Sequence, residues 1–176
     1  FVLEIQDNWR WAQSYNLPLD EFMQVFDYAI QNGYPIAWGS DVSETGFTRN
    51  GIAVVPDTEG ADDLTGSDRD HWLGMSPTER SEAALSKPSP EKAITQEMRQ
   101  EGYDNWETTD DHGMLIYGIA KDQNGKEYYM VKNSWGESGN YKGIWYMTKA
   151  FIADNTMDYL VNKNAIPKDI RKKLGL

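Results

Sequence analysis

Apolar and polar positions alternate with a helical period in the stretch PLDEFMQVFDYAIQNG, residues 18 to 33. The apolar positions of one helical face are Leu19, Phe22, Val25, Phe26, Ala29 and Ile30. This spacing predicts an amphipathic helix that packs one face against a core. Pro18 suits the first turn, and Asn32-Gly33 suits a left-handed stop before the chain continues as a strand.

Shorter apolar and aromatic runs predict strands elsewhere in the chain. They cover 35–42, 51–55, 112–120, 127–132 and 143–151. The Asn-Gly in DQNGK joins 112–120 to 127–132 as a β-hairpin, because this dipeptide adopts the tight turn that antiparallel strands need. A helix over 90–101 and a short helix near the end, followed by a free tail, complete the predicted elements.

Composition changes between about residues 56 and 95, where Asp, Ser, Gly and Pro replace the periodic pattern. We interpret this interval as a loop-rich insertion in a single α+β domain that spans 1–176. Its acidic and histidine side chains are Asp62, Asp63, Asp68, Asp70 and His71. They lack the alternating oxygen ligands and distal Glu of a calcium loop, so we predict a solvated loop and no metal site.

Charge and composition exclude several classes of function. The chain has 28 acidic and 17 basic residues and a net charge of -11, which disfavours nucleic acid and anionic membrane partners. No apolar run is long enough to cross a membrane, so we expect a soluble protein. A cytoplasmic location is a separate expectation, because an export signal would lie upstream of Phe1. The absence of cysteine excludes disulfides, thiolate metal sites and a thiol nucleophile supplied by these residues.

His112 and Asn133 lie at the two ends of the predicted hairpin. Their numbers place them on the same face of the ribbon, but a two-residue turn at Asn124-Gly125 would set Asn133 opposite Ile116, about 13 Å along the strand from His112. A wider loop or a bulge would bring the two side chains together. The alternation of strand faces therefore favours a contact between His112 and Asn133, but the sequence does not determine the strand register that the contact needs.

If the two side chains meet, the amide oxygen of Asn133 can fix the tautomer and orientation of His112 while the other ring nitrogen exchanges a proton. Trp135 could cover this hydrogen bond, and Gly113 leaves space beside it. A structural histidine and an ordinary turn capped by an aromatic ring are the alternative interpretation of the same residues.

The motifs Asp-His-Gly, Lys-Asn-Ser-Trp-Gly and Gly-Ile-Trp-Tyr, in this order, resemble papain-like cysteine peptidases, most closely the bleomycin hydrolase and aminopeptidase C branch. The resemblance implies the C-terminal, β-barrel-like domain of that fold with flanking helices. It also implies that His112 is the general base and acid, Asn133 its orienting partner and Trp135 a shield, supported by Asp111 and Gly113. The catalytic cysteine would lie on an N-terminal half absent from this sequence.

The same resemblance implies a cysteine aminopeptidase that cleaves peptide substrates near their N-terminus without a cofactor, and whose C-terminal carboxylate, here on Leu176, meets the substrate's amino group. Assembly as a homo-oligomer, a hexamer in this family, is also implied. Two rivals stay open: a binding module with a Trp-rich surface, and a homologue that has lost its cysteine. A transglutaminase-like enzyme typically ends its triad with Asp, which Asn133 argues against.

Overall fold

The computed structural model of the chain describes residue 2 and residues 10–60 and 64–176. The helices are α1 (Leu19–Gln31), α2 (Gly66–Gly74), α3 (Pro77–Ser86), α4 (Gln96–Asp104), α5 (Lys149–Asn155) and α6 (Lys168–Lys173), with a 3-10 turn at Lys163–Ala165. The strands are β1 (Ile36–Ser40), β2 (Ile52–Ala53), β3 (His112–Lys121), β4 (Glu127–Lys132), β5 (Ile144–Thr148) and β6 (Thr156–Val161).

The strands form one sheet in the order β2-β5-β4-β3-β1-β6. All neighbouring strands are antiparallel except β2 and β5, which pair in parallel. The α+β class is therefore confirmed. The barrel-like sheet is open rather than closed, because β2 and β6 end it without pairing with each other.

The inner face of the sheet carries the core, which α1 covers. Phe26 of α1 is fully buried and packs with Tyr129 and Tyr159 at ring centroid distances of 6.0 and 4.6 Å. Side chains of alternate strand positions complete this cluster, among them Trp38, Ile116, Val131, Trp145 and Met147. The period-two alternation of β1 and β3 thus separates a buried inner face from an outer face that the described residues leave partly exposed.

Helix α1, strand β1 and the β3–β4 hairpin lie where the sequence predicts them. The predicted strand over 143–151 is wrong in its second half. Thr148 ends β5, and its hydroxyl accepts a hydrogen bond from the backbone N–H of Phe151 at 3.2 Å, so that it caps α5. Strand β6, which follows α5, was not predicted.

The interval 56–95 was predicted to be loop-rich and contains α2 and α3. Helix α3 begins with a capping box in which Ser76 and Glu79 exchange hydrogen bonds. The predicted helix over 90–101 begins later, at Gln96, because the residues before it pair with the chain at 55–57 instead, through a bridge between Pro56 and Glu91. Asp62 and Asp63 of the acidic stretch lie outside the described residues.

Candidate active site at the mouth of the hairpin

The side chains of His112 and Asn133 are in direct contact. His112 Nε2 lies 2.8 Å from Asn133 Oδ1. The same oxygen accepts a hydrogen bond from the backbone N–H of Ser134 at 2.7 Å, which identifies it as the acceptor end of the amide. Because an amide oxygen can only accept, Nε2 is the donor in this contact, and Nδ1 is the ring nitrogen that Asn133 leaves uncontacted.

The hairpin register explains how the pair meets. Lys121 pairs with Glu127, which leaves a loop wider than the two-residue turn, and the ladder shifts again between Ile116 and Gly118. Continued beyond the Leu115–Lys132 pair, this register places Asn133 beside Met114, two residues from His112 on the same face. Diagonal neighbours at this separation are within reach of long side chains. Both features that the sequence left open, the wider loop and the bulge, are present.

Asn133 is held rigidly at the end of β4. Its backbone N–H donates to the carbonyl of Gly143 at 2.9 Å, and the residue is only 4% exposed. Its Nδ2 group, in contrast, is buried without an acceptor among the described residues. Asn133 is therefore fixed by its amide oxygen and its backbone, and its NH₂ group has no hydrogen-bond partner among the described residues.

Trp135 lies against His112, with ring centroids 4.9 Å apart and planes inclined by 34°. It also contacts Phe47 and Trp145 edge to face, at centroid distances of 6.0 and 5.8 Å. These contacts hold the indole beside the imidazole even though Trp135 is 53% exposed. The position is the one that a shield for the hydrogen bond requires, and that role stays a prediction.

Two aspartates connect the loops on either side of His112. Asp111, predicted as a supporting residue, accepts from the backbone N–H of Val42 at 3.0 Å and from the Ser43 hydroxyl. Asp41, which the sequence analysis missed, accepts from the backbone N–H groups of Ser43 at 2.8 Å and Thr109 at 2.7 Å. The carboxylate of Asp111 thus binds the loop at 41–43, and the carboxylate of Asp41 binds the loop that leads into β3. These hydrogen bonds hold the two loops together at the start of β3.

Negative charge concentrates around these loops. Burial raises the pKa of the Glu44 carboxyl, and the carboxylates of Asp41, Asp154, Glu107 and Asp111 raise it further. The side of the site formed by residues 41–44 and 107–111 therefore favours cations over anions.

A groove of about 500 Å³ opens beside the pair on the outer face of the sheet. Asn133, Gly113 and Leu115 are among its lining residues. A Cβ atom added at Gly113 would meet nothing within 4 Å, so a larger side chain would fit at this position, and the supporting role of Gly113 stays a prediction. Leu176 does not line this groove; its backbone N–H donates to the carbonyl of Arg171 at 3.0 Å and closes the end of α6. The assignment of Leu176 to substrate binding stays a prediction.

Metal-ligating clusters and membrane-spanning helices are both absent from the described part of the chain. Among those residues, no group of three or more His, Asp and Glu side chains could hold a metal ion. None of the described helices has the length and apolar character needed to span a bilayer.

The chain is similar in sequence to known proteins over the region that contains these motifs. The model of the Peptidase C1-like family matches residues 93–175, which include His112 and Asn133. Aminopeptidase C of Lactobacillus helveticus is 23% identical over 163 residues, which are 93% of this chain and 30% of that protein. Cathepsin L1 of Drosophila melanogaster is 47% identical over a short stretch of 34 residues, 19% of this chain and 9% of that protein.

The fold agrees with these sequence matches. The crystal structure of PepW from Lactobacillus rhamnosis HN001 superposes with a TM-score of 0.57 at 19% identity, covering 91% of this chain and 30% of PepW. The chain thus spans about 30% of the length of its aminopeptidase C relatives. Taken together, the motif order, the family match over residues 93–175 and the fold support the similarity of this chain to papain-like cysteine peptidases, and over most of its length to aminopeptidase C.

Proposed function

We propose that this chain supplies the general base and its orienting amide to a cysteine aminopeptidase. The observation that carries the proposal is the 2.8 Å contact between His112 Nε2 and Asn133 Oδ1, which leaves Nδ1 available to a nucleophile. His112 would take the proton of a thiol and return it to the leaving amine, and Asn133 would hold the ring in the productive tautomer.

The nucleophile would come from sequence outside these 176 residues, since they contain no cysteine. Without a thiol, His112 has no group to activate, so the chain by itself should not hydrolyse peptides. The aminopeptidase assignment is supported by the relatives named aminopeptidase C, which match over 93% of the chain.

The experiment uses the full-length protein that contains this chain and measures both peptide hydrolysis and labelling by a thiol-directed epoxide. His112→Ala should lower kcat by at least about a thousandfold, because loss of a triad member removes proton transfer. Asn133→Ala should retain a measurable remnant, since the histidine stays and loses only its orientation. His71→Ala, at an exposed position of α2, is the matched control and should leave kcat unchanged.

Similar, mild losses for His112→Ala and Asn133→Ala would contradict the proposed roles. A full-length protein that shows no stoichiometric labelling and no turnover would favour the two rivals, a binding module or an inactive homologue. A terminal-residue deletion that leaves the preference for free N-termini unchanged would remove Leu176 from the mechanism.

A further inference from the structure

Helix α5 runs directly into strand β6, because Asn155 ends the helix and Thr156 begins the strand. The last carbonyl groups of a helix have no partners within it, and no loop follows α5 to supply donors for them. The carbonyls of residues 153–156, which we name the α5–β6 junction, nevertheless all accept hydrogen bonds. Their donors belong to residues outside α5 and β6.

Arg99 of α4 donates to three of these four carbonyls. Its Nη1 group donates to the carbonyls of Ala153 and Asp154, the latter at 2.8 Å, and its Nη2 group donates to that of Thr156 at 2.7 Å. The guanidinium also contacts α1, where its Cζ atom lies 5.5 Å from the ring centroid of Phe22. A planar fork with fixed donors can bridge three carbonyls, whereas the compact ammonium of a lysine cannot reproduce this geometry.

The guanidinium of Arg99 stays charged at this partly buried position. Burial lowers its pKa, and the nearby carboxylate of Asp154 raises it. Arginine remains protonated at neutral pH even when its pKa is lowered in this way, so its hydrogen bonds to the junction are charge-assisted. Arg99 therefore joins α4 firmly to the end of α5.

The fourth carbonyl of the junction connects it to the loops around the candidate active site. Asn155 is 3% exposed, and its carbonyl accepts from the backbone N–H of Asp41 at 3.0 Å. The carboxylate of Asp41 in turn accepts from the backbone N–H of Thr109 at 2.7 Å, three residues before His112. The junction thus holds Asp41 by its backbone, and Asp41 holds the loop before His112 by its side chain.

The chain itself provides a second connection between Arg99 and His112. Helix α4 ends at Asp104, and the loop at 105–111 leads from it to His112 at the start of β3. Within this loop, the backbone N–H of Thr108 donates to the carbonyl of Gly102 at 3.0 Å. Arg99 thus fixes the helix from which the loop departs, and the junction fixes the residue against which the loop ends.

We propose that Arg99 is a positioning residue for His112, because it holds α4 and the α5–β6 junction together and so sets the backbone that presents the imidazole to Asn133. The inference rests on the proposed peptidase function, since it adds a residue to that mechanism. Arg99 does not line the groove beside His112. Its loss should therefore lower kcat more than it alters KM, because the position of a general base matters most in the transition state.

The test measures peptide hydrolysis by Arg99→Lys and Arg99→Ala in the full-length protein. Arg99→Lys keeps the charge and loses the fork, so kcat should fall by about threefold to tenfold, with KM within about twofold of the wild type. Arg99→Ala should lower kcat by about tenfold to a hundredfold, and added ethylguanidinium should restore part of that loss. Arg99→Lys, the milder change, decides the matter if Arg99→Ala does not fold.

Arg80→Ala is the matched control for a general loss of stability. The Nη1 group of Arg80 also donates to a backbone carbonyl, that of Thr58 at 2.9 Å, but this bond joins α3 to the chain after β2. Arg80→Ala should lower the urea midpoint and leave kcat unchanged. A loss of kcat in Arg80→Ala as large as that in Arg99→Ala would overturn the positioning role.

A spectroscopic readout separates this inference from the proposed catalysis. The proton NMR signal of the His112 Nε2–H group reports its hydrogen bond to Asn133, and its loss in His112→Ala assigns it. Arg99→Lys should move this signal upfield, because the hydrogen bond weakens, and Arg80→Ala should not move it. An unchanged signal in folded Arg99→Lys would refute the inference whether or not the wild type hydrolyses peptides. The expected shift in a full-length protein without turnover would support the positioning role and contradict the proposed catalysis.

Discussion

Asp41 anchors the loop before the candidate active site, and its removal should be costly. The residue is 1% exposed, and its carboxylate accepts from the backbone N–H groups of Ser43 at 2.8 Å and Thr109 at 2.7 Å. Asp41→Ala deprives both donors of a charged acceptor. Hydrogen bonds to charged groups contribute about 1.5–3 kcal/mol each, and water partly replaces them at the exposed residues Ser43 and Thr109. We expect the free energy of unfolding to fall by about 2–4 kcal/mol.

The substitution Asp41→Asn keeps the size and shape of the side chain and removes its negative charge. The amide keeps one acceptor oxygen but turns an NH₂ group towards the other backbone donor, so about half of the stabilisation should remain, and the free energy of unfolding should fall by about 1–2 kcal/mol. Urea unfolding measures both variants. Glu82→Gln, at an exposed position of α3, is the control and should stay within about 0.5 kcal/mol of the wild type.

Substitution of Asp41 should also lower the catalytic rate, because backbone hydrogen bonds connect its loop to His112. The N–H of Asp111 donates to the carbonyl of Ser40 at 3.1 Å, and the Ser40 hydroxyl donates to the carbonyl of His112 at 3.3 Å. A loosened loop at Asp41 would misplace the imidazole, so Asp41→Asn in the full-length protein should lower kcat with little change in KM. An Asp41→Ala variant as stable as the wild type would refute the reasoning at its first step.

Two further predictions concern the buried Tyr129 and the half-buried Glu44. Tyr129→Phe should lower the free energy of unfolding by about 1–2 kcal/mol in urea, because it removes a 2.6 Å hydrogen bond from the hydroxyl to Asp27 Oδ1 while Lys149 still pairs with Asp27 at 2.9 Å. Tyr103→Phe, at a 40% exposed position, should change nothing. The raised pKa of Glu44 means that the folded state binds its proton more tightly than the unfolded state, so this carboxyl makes stability fall as pH rises from 4.5 through the folded pKa. Glu44→Gln should therefore raise the urea midpoint at pH 7 and match the wild type near pH 4; a lower midpoint at pH 7 would contradict this sign.

Elements that carry their own signals were predictable from the sequence. Helix α1 has an apolar stripe, a proline at its start and a glycine after its end, and the hairpin has Asn-Gly at its turn. Helix α3 had a comparable signal, because Ser76 and Glu79 have capping-box spacing around Pro77, but the surrounding acidic composition obscured it. Helix α5 could not be separated from β5 by periodicity alone, since Thr148 is typical of a strand until its hydroxyl is seen to cap α5.

The candidate site was predictable in its residue types and not in its full set of contacts. The residue numbers of His112 and Asn133 are enough to place the two side chains on the same face of the hairpin. Their contact also depends on a bulge near Tyr117, and no residue there has a sequence signal for a bulge. Asp41 is far from His112 in sequence, and only the pairing of β1 with β3 brings it to the same end of the sheet. Local sequence signals cannot report contacts of this kind, because the contacts depend on strand order.

Strand β3 is apolar on both faces, but only one of those faces is buried. Met114 and Ile116 on its inner face are 7% and 0% exposed, as a strand that lines a core requires. Leu115 and Tyr117 alternate with them and are 39% and 41% exposed, although strands with one solvated face usually carry polar residues there. The sequence of β3 therefore predicts a strand but not which of its faces is buried, because both faces are apolar and the buried one is set by the packing of the helices and the other strands around it.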